Sequence, residues 1–516
     1  MSSFLLMILR SIDPRRRQKS DRAESAPKWR PTDTVLPVHA IDNTATLKAM
    51  VTSQALRSND VLDGDLLHSS LTELLSTGNW KRLGGRFRVN SANMLELHVP
   101  DRFSEAVPAV SYTHAEYPGN LDETEDAEVL QTHAGKARVV DIPDDARRFL
   151  VGHQTPMSLD DYVSRDIPLI NLHVINYADA TLVTMTWPHA LTDGMGWIGI
   201  VRNWCKVLAG LKDEIDDMGG LHQDPLAPVA ADDGPDRERF ALEHKVLQGL
   251  GLVMFSVRAL VAWIMSPQIL HKGIFIPAAL FEHVKQQVTE QQEALYKDDA
   301  ENKPFISNGD IFCSWMVRMA CSATFAMSTR SVVLMSAVDI RSRLPSLFKP
   351  RTVYAQNLLA FSFTFVPLGD VLRGPLSGFA RQIRESLVRQ TSEAQIYAGV
   401  RRNLRFISAS GRMPLYADAN SILVVMSNLT KLSWHDVFNF KPAVVGRGPG
   451  GRKETAGLPV WQVACSESKD SYATSLMFNG ADLDGNYWAE ATLPAPAWEH
   501  LEKQLVEWER SAMKTK

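Results

Sequence analysis

Cysteine is scarce. Cys205, Cys313, Cys321 and Cys465 are the only four in 516 residues, and no two of them stand in C-x-x-C spacing. That excludes a disulfide-stapled scaffold and gives no zinc ribbon or finger. It fits reduced thiols in a cytoplasmic protein, and no metal set is expected. Positive charge is not in excess. The 55 Lys and Arg face 59 Asp and Glu, a net of −4, so the basic stripe that nucleic-acid binding needs is missing. Long apolar runs are missing too. The N-terminal run Phe4–Leu9 is six residues long, and Arg15-Arg16-Arg17 follows it; a secretory signal has the opposite order and a longer core. Residues 1–30 are expected to form a polar, mobile lead-in. The stretch Leu250–Met265 is strongly apolar but carries Arg258 in its middle. A spanning helix needs about 20 apolar residues, and a central Arg costs several kcal/mol. A buried or surface-lying helix is expected, with peripheral membrane contact through 246–267 left open. There is no fixed-period repeat. The glycine-rich stretch 446–453 lacks the P-loop pattern, and Pro449 removes an amide donor, so it reads as a surface loop.

The length calls for two or three domains. Residues 211–240, rich in Asp, Gly and Pro, read as a crossover linker. They separate a first domain over 31–210 from a second over 241–516. Leucines at helical spacing fill 61–77, and 84–89 with 94–99 predict a hairpin around Asn90–Asn93. Two strand-like runs, 168–177 and 181–187, lead directly into Pro188-His189. After Asp193-Gly194, the residues Trp197, Ile200, Val201, Trp204, Val207 and Leu208 repeat with helical period. The second half alternates likewise: a helix from Ile311 to about Met327 opening with Ser307 and Asp310 as a capping box, strands at 331–338, 357–366 and 421–427, a hairpin turning near 482–485, and a final helix from Ala495 to about Ala512.

The chemistry-bearing segment is Trp187-Pro-His189-Ala-Leu-Thr-Asp193-Gly194. An alcohol that attacks a thioester must lose a proton, and a neutral imidazole can take it at cytoplasmic pH. A strand-to-helix loop can present such an imidazole to a cleft. Asp193, four residues on, is placed to hold the loop or a cation from another segment. Gly194 permits close backbone approach. Alone, an H-x-x-x-D pattern arises often by chance.

Its companions are more specific. Asp65–Leu75 followed by Gly84-Gly85-Arg86-Phe87, then Ile306–Trp315, then Ala337-Val-Asp339-Ile-Arg341-Ser-Arg343-Leu344, then Ser427–Val437 stand in one order along the chain. Together with H-x-x-x-D-G they resemble the motifs of the BAHD-type CoA-dependent acyltransferases, in particular the divergent fungal branch that includes the trichothecene 3-O-acetyltransferase group. The resemblance covers roughly residues 30–515. Where the family's D-F-G-W-G is expected, the chain reads Phe438-Asn-Phe-Lys-Pro442, without glycines.

The resemblance implies an α/β fold of two chloramphenicol-acetyltransferase-like domains, each a mixed sheet flanked by helices, with a channel between them. It implies acyl-CoA as cosubstrate, acetyl-CoA first among them, and transfer to a hydroxyl of a small, largely apolar secondary metabolite by a monomer. His189 would be the general base in a ternary complex. Asp193 would turn away and pair with Arg341. Asn357 matches the family's Gly-Asn position, with Gln356 in place of the glycine. Ser307 is a candidate CoA contact, though capping accounts for it equally, and Asn428 or Thr430 is a candidate oxyanion donor. Two alternatives stand beside this. A condensation-type amide-forming enzyme would carry a second His where Pro188 stands. A non-catalytic binding protein could keep the fold without the chemistry.

Overall fold

The computed structural model describes residues 30–514 except 125–129, 131–134, 142–143, 233, 235–237, 266–267, 300, 302, 323–328, 430–433, 449–452 and 469–473. Apart from Arg30, the expected lead-in 1–30 lies outside the described residues. The first part of the chain supplies β1 (Met50–Ser58), β2 (Ser111–Glu116), β3 (Arg138–Asp141), β4 (Asn171–Asn176) and β5 (Thr181–Pro188). The later part supplies β6 (Ile269–Ile276), β7 (Ser331–Asp339), β8 (Leu359–Pro367), β9 (Ile422–Asn428), β10 (Trp461–Ser468), β11 (Thr474–Ala481) and β12 (Tyr487–Pro494). They form two mixed sheets, ordered β10-β1-β5-β4-β2 and β8-β7-β9-β11-β12-β6-β3. The principal helices are α1 (Gly64–Leu74), α2 (Gly194–Leu208), α3 (Gly249–Met265), α4 (Ala278–Leu295), α5 (Asn308–Cys321), α6 (Leu376–Gln390), α7 (Glu393–Ser410) and α8 (Ala495–Lys514).

Each sheet carries its own core. β5 is buried at every position, as a central strand covered on both faces must be. It packs with α1 and α2, where Trp204 donates to the Leu67 carbonyl at 3.2 Å and to Ser70 Oγ at 3.0 Å. α4, α5, α6 and α8 cover one face of the second sheet around Trp315, Phe312, Phe281 and Trp498. The expected hairpin at 86–99 forms in antiparallel register, its turn closed by Asn93 at φ 59°. The expected hairpin near 482–485 joins β11 to β12.

The sheets do not divide at residues 211–240. β3, from before that stretch, is the edge strand of the second sheet, paired with β6. β10, from near the end of the chain, is the edge strand of the first, paired with β1 along eight residues. The stretch 211–240 is itself fastened. Asp217-Met218 pairs in parallel with Thr352-Val353, and the Gly220 carbonyl accepts from Arg82 Nη1 at 3.0 Å and bonds His39 Nε2 at 2.8 Å. Gly220 has φ +69°, a backbone that favours glycine, and a Cβ there would lie 2.0 Å from the Gln356 amide, which would have to move. α3 lies on the surface. Phe255 and Ser256 are its buried residues, and no helix among the described residues is long and apolar enough to cross a membrane.

Candidate active site

The loop between β5 and α2 is held from three directions. Its strand side is fixed by the His189 amide, which donates to the Met50 carbonyl at the start of β1 (2.9 Å). Its helix side is fixed by Asp193, the N-cap of α2, whose Oδ1 accepts from the Gly196 amide at 2.8 Å. An acid at this position also suits the positive end of the helix. The third hold comes from the later half. Asp193 Oδ2 accepts from the Leu358 amide at 2.8 Å and from Arg341 Nη1 at 3.1 Å. Arg341 follows β7 and uses the rest of its fork on Asp339 (2.8 Å) and on the carbonyls of Tyr354 (2.7 Å) and Gln356 (2.8 Å). Burial works against the charge on Arg341, but Asp193 and Asp339 outweigh it and hold the guanidinium above its usual value. The Asp193–Arg341 pair expected from the resemblance is therefore present at 3.1 Å, and both oxygens of Asp193 are occupied by Gly196, Leu358 and Arg341.

Asn357 sits one residue before the Leu358 amide and clamps the same loop. Its Nδ2 donates to the His189 carbonyl at 2.8 Å and to Asp42 Oδ1 at 2.7 Å, and its own amide donates to Asp42 Oδ1 at 2.8 Å. So two carboxylates receive two successive amides, Asp42 that of Asn357 and Asp193 that of Leu358. Asp42 is fully buried, and burial pushes its carboxyl up to about 7 against the pull of Asn357 and Arg82. Sequence reasoning missed it. It lies in Val38-His-Ala-Ile-Asp42-Asn-Thr44, and its partners are the backbone and side chain of a residue far along the chain, which leave no local pattern.

His189 itself is half-buried. Burial lowers its basicity below the ordinary histidine value, with its own backbone, Asp193 and Asn357 pulling the other way. The ring's Nδ1 and Asn357 Oδ1 are both buried without a well-formed partner. The His189 backbone and Asn357 both act to favour the protonated ring.

The other expected residues fall as follows. Gly194 opens α2, and a Cβ there would meet only Leu429 at 4.0 Å. The close approach expected at Gly194 occurs instead at Gly196, where a Cβ would stand 2.4 Å from Thr192 Oγ1 and 2.5 Å from the Ala355 carbonyl. Leu429, 4.0 Å from the notional Cβ of Gly194, places the residue after β9 beside the loop. Asn428, the last residue of β9, is exposed there, with Nδ2 3.5 Å from Cys313 Sγ. Thr430 lies outside the described residues. Asn357 is buried among the loop's anchors rather than open to a ligand. Ser307 forms the capping box of α5 with Asp310, and its Oγ also accepts from Arg384 at 2.6 Å, so the capping account is the one its geometry carries. The Phe438–Pro442 segment packs on α2 without the family's glycines, the Phe440 ring 5.2 Å from that of Trp204. Among the described residues no group of three His, Cys, Asp or Glu could hold a metal ion.

No protein-family model matches the chain. The curated relative O-acetyltransferase PaAT-2 of Phomopsis amygdali is 33% identical over 488 residues, covering 92% of this chain and 98% of its own. Among solved structures, TRI101 of F. graminearum with coenzyme A and deoxynivalenol superposes with a TM-score of 0.66 at 15% identity, covering 93% of this chain and 98% of that one. Vinorine synthase superposes with a TM-score of 0.53 at 14% identity, covering 94% and 95%. The two superpositions carry the fold. With the identity to the Phomopsis enzyme over nearly the whole of both sequences, they establish that the chain belongs to the BAHD-type acyltransferases, in their fungal branch.

Proposed function

We propose that the chain transfers an acyl group, acetyl in the first instance, from acyl-CoA to a hydroxyl of a small, largely apolar secondary metabolite. Donor and acceptor meet in a ternary complex on a monomer, and His189 is the general base. The observation that carries this reading is the doubly clamped His189 loop, which holds a partly buried imidazole of lowered basicity. An imidazole neutral at neutral pH can accept a proton at once.

A proton held on Nδ1 leaves Nε2 free to act as the base. Nε2 takes the proton of the acceptor hydroxyl as its oxygen attacks the thioester carbonyl. The tetrahedral intermediate collapses, the C–S bond breaks, and the departing thiolate recovers the proton from the imidazolium, regenerating neutral His189. The oxyanion needs a donor; Asn428 at the end of β9 is the described residue offered for that role, with Thr430 beside it in sequence. TRI101 is complexed with coenzyme A and deoxynivalenol in its solved structure, which supports a CoA and small-molecule pair of ligands here. Asp193 and Arg341 hold the loop and take no part in proton transfer.

The test is the release of free CoA thiol from acetyl-CoA with a panel of terpenoid and polyketide alcohols, for the native chain and for His189→Ala. Loss of a general base removes about 10²–10⁴-fold in rate. Full turnover by His189→Ala would overturn the assignment of the base. Comparing metabolites of cells with and without the gene by mass spectrometry would identify the acceptor through its added acyl mass.

A further inference from the structure

The outer face of α3 has no use in the site described above. Leu250, Val253, Met254, Val257, Val261, Ile264 and Met265 are the exposed large aliphatic residues of this helix, with Leu250 and Met265 each 74% exposed. Their spacing of three, one, three, four, three and one puts them on one stripe of the helix, along its whole length. The opposite side is apolar too, with Phe255 buried in a cluster that includes Val333, Phe363 and Tyr416. A helix that is apolar all round belongs in an apolar medium on both sides, yet here the protein covers only one.

We propose that α3 is a membrane-docking surface, lying flat in the interface of a bilayer that carries anionic lipid. Three observations choose this occupant. First, the seven side chains of the stripe offer no hydrogen-bonding group, the exposed Trp263 lying off it, whereas protein interfaces carry about one hydrogen bond per 100–200 Å²; hydrocarbon asks for none. Second, the charge on the helix itself is of one sign, and the neighbouring Asp418 is paired with Lys245 at 2.7 Å. α3 contains no Asp, Glu or Lys, and its one charged residue is Arg258 at the edge of the stripe. Arg258 donates to the Ala419 carbonyl at 2.9 Å, and Arg330 donates to the next two carbonyls, of Asn420 and Ser421. Two guanidinium groups thus sit on the consecutive carbonyls of 419–421, with Arg258 at the edge of the apolar stripe, where headgroup phosphates lie beside a flat interfacial helix. Third, the 17 residues span about 26 Å as a helix with an Arg at the midpoint, which disfavours insertion across a bilayer.

The test is flotation of the full chain with phosphatidylcholine vesicles and with vesicles containing 30 mol% phosphatidylserine. The native chain is expected to float with the anionic vesicles, less with neutral ones and less in high salt. The double variant Val257→Glu and Val261→Glu is expected to lose at least tenfold in bound fraction while keeping the native melting temperature, since both side chains already face solvent. Arg258→Ala tests the charge separately and is expected to weaken binding to anionic vesicles more than to neutral ones. A native chain that stays with the unbound protein in both lipid mixtures would overturn the proposal. So would a dimer in light scattering that the double variant converts to monomer, because a second copy would then be the occupant.

Discussion

Replacing Asp42 separates the two things this carboxyl does. It accepts from the amide and from Nδ2 of Asn357, and it resists ionisation because it is buried. In Asp42→Ala both donors lose their acceptor inside the protein. An orphaned buried donor costs about 1–3 kcal/mol, so the expected loss is about 2–6 kcal/mol. In Asp42→Asn an amide oxygen can still accept both bonds, and the charge is gone. The sign follows from the direction of the shift. A carboxyl pushed up to about 7 on folding is best tolerated below its unfolded value near 4, and that tolerance is lost as pH rises through about 7. Ionising it in the folded chain then costs up to about 4 kcal/mol, a balance that already contains the attraction of Arg82. Asp42→Asn is therefore expected to gain stability relative to the native chain as pH rises from 5 to 8, levelling off above 8. Urea denaturation at pH 5.5, 7 and 8.5 measures both variants, with CoA release as the activity readout. Asp42→Asn should keep activity within a few-fold, and Asp42→Ala should lose activity with stability. An Asp42→Ala chain as stable as the native one, or an Asp42→Asn chain whose relative stability ignores pH, would refute the clamp.

Other changes read other parts of the same loop. Arg341→Ala leaves Asp193 buried without its cation and Asp339 partly buried without one, and breaking a buried pair costs about 3–5 kcal/mol; denaturation should report it, and Arg341→Lys should recover little because a single ammonium cannot reproduce the fork onto Tyr354 and Gln356. Gly196→Ala should destabilise the chain and lower its melting temperature, since the new methyl would sit against the Ala355 carbonyl, while Gly194→Ala should be tolerated. The pH profile of kcat/KM should fall on the acid side with an apparent pKa below the ordinary histidine value, because burial favours the neutral ring of His189 and only that form accepts a proton. A profile breaking above 7 would contradict that environment.

The setting of His189 was legible because it is local: a strand, a capping acid and an apolar helical period within about 40 residues. The pairing of Asp193 with Arg341 was legible only through resemblance, since nothing in either segment's periodicity names a partner 148 positions away. Asp42 was not legible, because a carboxylate that accepts from a backbone amide asks for no particular residue opposite it. Gly194 and Gly196 could not be told apart from the sequence; which of them faces Ala355 depends on how the later half docks. The partnership of β3 with β6 was hidden for a different reason. Four residues, Arg-Val-Val-Asp, give too short an alternation to mark a strand, and an edge strand draws its partner from the sheet rather than from its own pattern. For α3 the composition was clear, but an all-round apolar helix looks alike whether protein or another apolar phase covers its second side.

The exchange of edge strands sets a timetable for the ribosome. β1 waits for β10, about 400 residues further on, and at 5–20 residues per second that strand emerges on the order of 20–80 s later. Throughout that interval the first sheet shows a row of unpaired amides and carbonyls along β1, the type of edge on which chains join one another. A nascent chain of this protein therefore passes through a long window of vulnerability, and truncation before residue 461 would make that window permanent.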